Sequence, residues 1–101
     1  MPKLFEYMGI IIFFYSNEHE PIHIHASKAE FESKAEFFIV EGIITEVKIS
    51  NIKGKNPLEG NDLKDFKVFL ENYSDNVVKS WVDYFVYHKS IVFEKINKRL
   101  K

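Results

Sequence analysis

The stretch Lys34-Ala35-Glu36-Phe37-Phe38-Ile39-Val40-Glu41-Gly42-Ile43-Ile44-Thr45-Glu46-Val47-Lys48-Ile49 reads as two β-strands joined by a tight turn. Ala35, Phe37 and Ile39 recur at every second position, which in extended backbone places them on one face. Glu41-Gly42 suits a two-residue hairpin, because glycine takes a positive φ without a Cβ clash. Ile43 to Ile49 then returns beside Lys34 to Val40. A hairpin of this kind builds an antiparallel sheet from segments adjacent in sequence, the pattern of an α+β domain.

Outward toward the N-terminus, Leu4 to Tyr7 and Ile10 to Ser16 read as strands around Gly9, the second apolar on both faces as a covered central strand would be. Ile22 to Ser27 supplies another strand. In the other direction, residues 50–60 carry Gly54, Pro57 and Gly60 and lack a sustained period, so a loop is expected there. After it, Asn61 or Asp62 can cap a helix bearing Leu63, Phe66, Phe69, Leu70 and Tyr73 at helical spacing. Ser74 suits the N-cap of a second, longer helix with Val78, Trp81, Val82, Phe85, Val92 and Ile96 on its stripe. Such stripes pack on a sheet, with a ligand groove along Trp81, Phe85 and Phe66 as the alternative. His88, alone on this helix, is expected to be structural or exposed.

These elements predict a single α+β domain over residues 1–101. An antiparallel sheet of about four to five strands spans about residues 3–49, a loop covers 50–60, and two C-terminal helices packed on the sheet occupy about 62–100. The chain has 101 residues, 46% of them hydrophobic and ten of them Phe, enough for one core and no second domain. Cysteine is absent, which excludes disulfides and thiolate metal sites and fits a reducing cytoplasm. Ile10 to Tyr15 is too short to span a bilayer, and the N-terminus lacks an extended apolar run after its basic residue, so a cytoplasmic protein without membrane contact is expected.

The formal net charge is −1, unevenly placed. Lys89, Lys95, Lys98, Arg99 and Lys101 gather in the tail against Glu94, leaving an acidic body. Cations there are expected to complement a helix C-terminus, with phosphate contact as the alternative. The sequence has no Gly-rich phosphate loop, nucleophile elbow, heptad array or internal repeat, so nucleotide hydrolysis, serine esterase chemistry and coiled-coil assembly lack support.

Chemistry-bearing residues concentrate in Phe13-Phe14-Tyr15-Ser16-Asn17-Glu18-His19-Glu20-Pro21-Ile22-His23-Ile24-His25, which holds three of the four histidines. On a strand His23 and His25 share a face with Cβ atoms about 6.5 to 7 Å apart, close enough to converge on one ion or one phosphate-sized group. Pro21 fixes its own φ and biases Glu20 toward extended backbone, so a turn over residues 16–21 would deliver His19 beside them. His19, His23 and His25, with Glu18, would then match a divalent transition metal site, zinc or manganese foremost, with an open position. The same imidazoles could instead trade protons in metal-free cleavage of a phosphodiester. Against both stands a plain alternative, in which the histidine pair is a solvated or hydrogen-bonded structural feature.

Met1-Pro2, Phe13-Phe14-Tyr15-Ser16 and Glu18-His19-Glu20-Pro21 followed by His23-Ile24-His25 resemble the small bacterial DUF4160 family, whose signature runs roughly F-Y-S-x-D/E-H-x-P-P-H-V-H. The resemblance is most specific over residues 1–40, and Trp81-Val82-Asp83-Tyr84-Phe85 extends it to about residue 88. His19, Pro21, His23 and His25 sit on the signature, while Ile22 stands where a second proline is usual. The family is a domain of unknown function, and the resemblance implies a likeness in size to toxin-antitoxin components and pairing with a small protein of the DUF2442 type. Two expectations follow. One is a toxin-like nuclease in which His19, His23 and His25 hold a divalent metal or act directly on a phosphodiester with Glu18 and Tyr15 assisting, and Lys28, Lys34 and the tail attract the substrate. The other is a non-enzymatic module whose sheet edge or helical face binds a small partner protein, with the histidines structural or stapled by a metal.

Overall fold

The computed structural model describes residues 2–15 and 21–101. Their strands are β1 (Lys3–Tyr7), β2 (Ile10–Phe13), β3 (His23–Lys28), β4 (Phe31–Val40), β5 (Ile43–Asn51) and β6 (Glu94–Ile96), with one helix, α1 (Gly60–Phe85), between β5 and β6. The strands form one sheet in the order β5-β4-β3-β2-β1-β6. β1 to β5 run antiparallel, each beside the next, and the hairpin at Glu41-Gly42 is the one that the alternation and the glycine predict. The turns at Met8-Gly9 and Glu41-Gly42 both run through positive φ, near 52° for the first residue and 80° for the glycine, the mirror-image geometry that matches strand twist.

One face of the sheet carries the core. Phe5, Tyr7, Ile10, Ile12, Ile24, Ala26, Ala35 and Phe37 are buried there with Phe66, Phe69, Leu70, Val77 and Trp81 of α1. Burying each large apolar side chain contributes about 1.5–3 kcal/mol, so the inner stripe of α1 holds the helix on the sheet. Phe5 meets Phe69 edge-on at 5.4 Å, and Phe14 sits against Tyr84 and Phe85 at 5.1 and 5.2 Å. Phe66 and Trp81 are therefore core, with 0% and 6% of their surface exposed.

The C-terminal half departs from the expected pair of helices and the four-to-five-stranded antiparallel sheet. α1 is a single helix of 26 residues, and Ser74 lies inside it. The Ser74 hydroxyl donates to the Leu70 carbonyl at 2.6 Å, one turn back, so it is satisfied without ending the helix. No glycine or proline stands between Leu63 and Phe85 to break the run. The N-cap is Glu59, not Asn61 or Asp62, and makes no side-chain cap bond.

Beyond Phe85 the chain does not continue as helix. It returns as β6, whose Glu94, Lys95 and Ile96 pair parallel with Phe5, Glu6 and Tyr7, making the sheet mixed and six-stranded. The last turn of α1 holds no basic residue, so the tail's cations do not cap it. Lys95 instead lies 3.7 Å from Glu6, Arg99 3.2 Å from Asp65, and the Leu100 N–H donates to the Tyr7 hydroxyl at 3.0 Å. His88 lies outside the helix, exposed and at φ 57°. Among the described residues no helix is long and apolar enough to cross a membrane.

α1 leaves the β4–β5 end of the sheet partly open. Between them runs a groove of about 680 Å³ that includes Val47, Ile49, Leu58, Leu63 and Leu70 in its walls.

Candidate functional site

His23 and His25 stand on β3, on the face away from α1, while Ile24 and Ala26 between and beyond them are wholly buried beneath the helix. Alternation along the strand thus places both imidazoles on one surface, with ring centroids 5.4 Å apart. Phe13 of β2 is the direct cross-strand neighbour of His25 and stacks on it at 5.4 Å. Tyr15 packs edge-on against the same imidazole at 4.7 Å, which leaves His25 only 7% exposed.

The neighbour that sequence reading missed is Glu32. Its Oε2 lies 3.2 Å from Nδ1 of His25 and accepts a hydrogen bond from the Tyr15 hydroxyl at 3.4 Å. At that distance Glu32 and His25 form an ion pair when the imidazole is protonated. A carboxylate there favours the tautomer with its hydrogen on Nδ1 and its basic lone pair on Nε2. His23 is set the same way by a different acceptor, because its Nδ1 lies 2.9 Å from the carbonyl of Pro21 and must donate to it.

Register explains how Glu32 arrives. β3 and β4 join through Ala29-Glu30, with Ala29 at φ 54°, and the ladder pairs Ser27 with Glu32, His25 with Lys34 and His23 with Glu36. Glu32 is therefore diagonal to His25 on the same face, within reach of a long side chain. A turn without Gly, Asn or Asp hid this hairpin and put the expected start of the strand at Lys34, three residues late. The signal that could have found it is the Glu32, Lys34, Glu36 alternation, which continues the polar face of β4 backward.

Of the other expected residues, Tyr15 joins the cluster and Lys34 faces it. Lys28 does not. It points to the helix side of β3 and pairs with Asp62 of α1 at 2.9 Å. Lys55 takes its place, with Nζ 4.0 Å from Oε1 of Glu32. Glu18 and His19 lie outside the described residues. Among the described residues no three His, Cys, Asp or Glu side chains are grouped to hold a metal ion. His23 and His25 supply two nitrogen donors, and a zinc or manganese centre of the expected kind would need His19 as a third.

The residues that carry this arrangement fall within a single family match, which spans residues 9–82 and is described as a domain of unknown function, DUF4160. The chain belongs to the DUF4160 family. The match takes in β2 to β5 and nearly all of α1, so His23, His25, Glu32 and Tyr15 lie inside the DUF4160 domain while β1 and β6 lie outside the matched span. No curated protein and no solved structure matches the chain.

Proposed function

We propose that this DUF4160 protein is a small toxin-like nuclease that cleaves RNA by histidine acid–base chemistry. The observation that supports it is the row Glu32, His25, His23 on one face of the sheet, in which Nδ1 of each histidine faces an acceptor and the two rings lie 5.4 Å apart. Nε2 of His25 takes the proton of a ribose 2′-hydroxyl, Glu32 stabilises the imidazolium that forms, and the freed oxygen attacks the adjacent phosphorus. Protonated His23 gives its proton to the departing 5′-oxygen. Tyr15 holds Glu32 in place, and Lys34 and Lys55 offset the phosphate charge on an otherwise acidic body.

The test is cleavage of labelled single-stranded RNA by the purified protein. His23→Ala should lower the rate by about 10²- to 10⁴-fold, the usual share of one acid or base, while costing less than about 1 kcal/mol in unfolding. Absence of cleavage by the wild-type protein overturns the reading. Loss of cleavage on chelation, restored by zinc or manganese, replaces it with the metal-dependent form that includes His19.

A second reading, a module that binds a small protein of the DUF2442 type, draws support from the groove between α1 and β4–β5, whose walls include the apolar Val47, Ile49, Leu58, Leu63 and Leu70. It expects a stable complex on co-expression whether or not His23 is replaced. Failure to co-purify excludes it.

A further inference from the structure

β5 ends the sheet on one side, and among the described residues its only strand neighbour is β4. It is nine residues long, whereas the opposite edge is closed by the three-residue β6. Long edge strands present a row of backbone donors and acceptors, and the direction of those groups can be followed here. Phe37, opposite Val47, donates its N–H to the Ile22 carbonyl at 2.8 Å, toward β3 and away from β5. In an antiparallel ladder opposite residues either face each other or both face away, so the N–H and C=O of Val47 point to the open edge. Ile49, two residues on, points the same way.

Val47 is flanked by Glu46 and Lys48, both exposed and both on the face away from α1. We propose that two copies of the chain pair through β5, antiparallel, about a two-fold axis at Val47. In that register Val47 meets the partner's Val47 in a hydrogen-bonded pair, and Glu46 lies opposite the partner's Lys48 on both sides of the axis. The charge pattern is thus self-complementary, as a two-fold interface requires. Both helices fall on the same side of one continuous sheet, and the grooves beside Val47 and Ile49 open toward each other. The irregularity between Phe38 and Ile39 bends the strand near Thr45, which limits the pairing to its centre and makes the dimer weak and salt-sensitive. This pairing does not rest on the nuclease reading, and it competes with a partner protein seated in the groove, because Val47 and Ile49 line both.

Sedimentation equilibrium on the full chain at micromolar concentration tests it. The wild-type protein should show a monomer–dimer equilibrium that weakens with salt. Glu46→Lys places two lysines opposite each other twice, and dimerisation should weaken roughly tenfold or more. Within the chain Glu46 lies opposite Phe38, so no internal ion pair across the ladder is lost and the far-ultraviolet circular dichroism should not change. Lys48 lies opposite Glu36 within the chain, so adding Lys48→Glu together with Glu36→Lys to Glu46→Lys restores the charge pairing across the axis while keeping that internal pair, and should restore the dimer. A wild-type monomer throughout, a dimer indifferent to Glu46→Lys, or a triple variant that stays monomeric overturns the proposal.

Discussion

Nδ1 of His25 and Oε2 of Glu32 stand 3.2 Å apart across the β3–β4 pair, and both residues are 7% exposed. Neither side chain reaches this position through local sequence. If the carboxylate stabilises a proton on His25 during cleavage, Glu32→Gln keeps the shape and removes the charge. The rate constant for RNA cleavage should then fall about 10²-fold or more, while substrate affinity stays nearly constant.

His23 and His25 should separate under mutation. His25 stacks on Phe13 and Tyr15, and its loss leaves Glu32 buried beside a void. His25→Ala should cost about 2–3 kcal/mol in urea unfolding, from lost ring contacts and a less well satisfied carboxylate. His23, only partly buried, should cost less than about 1 kcal/mol as alanine. Equal losses at both sites would contradict the packing described.

Ile96 closes the far edge of the sheet with 8% of its surface exposed, and its partner Tyr7 is buried at 1%. Ile96→Ala should therefore destabilise the domain by about 2 kcal/mol, near the lower end for a large-to-small core change. The same replacement at Val92, which is 86% exposed, should be within about 0.5 kcal/mol of wild type. Denaturant midpoints for the two variants measure the difference.

Gly9 and Gly42 occupy the same left-handed backbone region, at φ 80°, yet alanine should be tolerated unequally. At Gly42 a Cβ would meet nothing within 4 Å, so Gly42→Ala carries only the backbone strain, about 1–2 kcal/mol. At Gly9 the same atom would lie 3.1 Å from Cε of Lys28, whose ammonium is engaged with Asp62. Gly9→Ala should be the more destabilising of the two in urea unfolding.

Asp83 supplies a pH-dependent contribution. The hydrogen bond from Lys79, at 2.8 Å, holds its carboxyl below the ordinary carboxylate range; burial opposes this, and the charges of Lys79 and Lys89 add to it. A value lower in the folded than in the unfolded chain means that ionised Asp83 stabilises the fold above the ordinary range. That contribution fades as pH falls through the folded value. Asp83→Asn should lower the urea midpoint at neutral pH, and the gap from wild type should close in acid.

The five antiparallel strands were legible because each requirement was local. Alternation in Lys34 to Val40, a glycine at the second turn position in Glu41-Gly42, and apolar runs around Gly9 all act within a few residues. The shared face of His23 and His25 was legible for the same reason, since alternation is a property of one strand. Tyr15 was legible only as a neighbour in sequence. Its place against His25 and Glu32 depends on how β2, β3 and β4 align.

What the sequence by itself determined, then, is the set of antiparallel strands, the Glu41-Gly42 hairpin and the shared face of the histidine pair, because side-chain alternation and turn conformation are set by adjacent residues. The rest was decided by contacts between distant parts of the chain. Ser74 had the chemistry of a cap, but its back-bond to Leu70 and the continuous apolar face toward the sheet kept α1 whole. β6 has three residues and no pattern of its own; it exists because β1 offered an open edge and because Glu6, Asp65 and Tyr7 engage Lys95, Arg99 and Leu100. Glu32 came to His25 through a register set by the Ala29-Glu30 turn, and register is a relation between two strands that neither strand specifies alone.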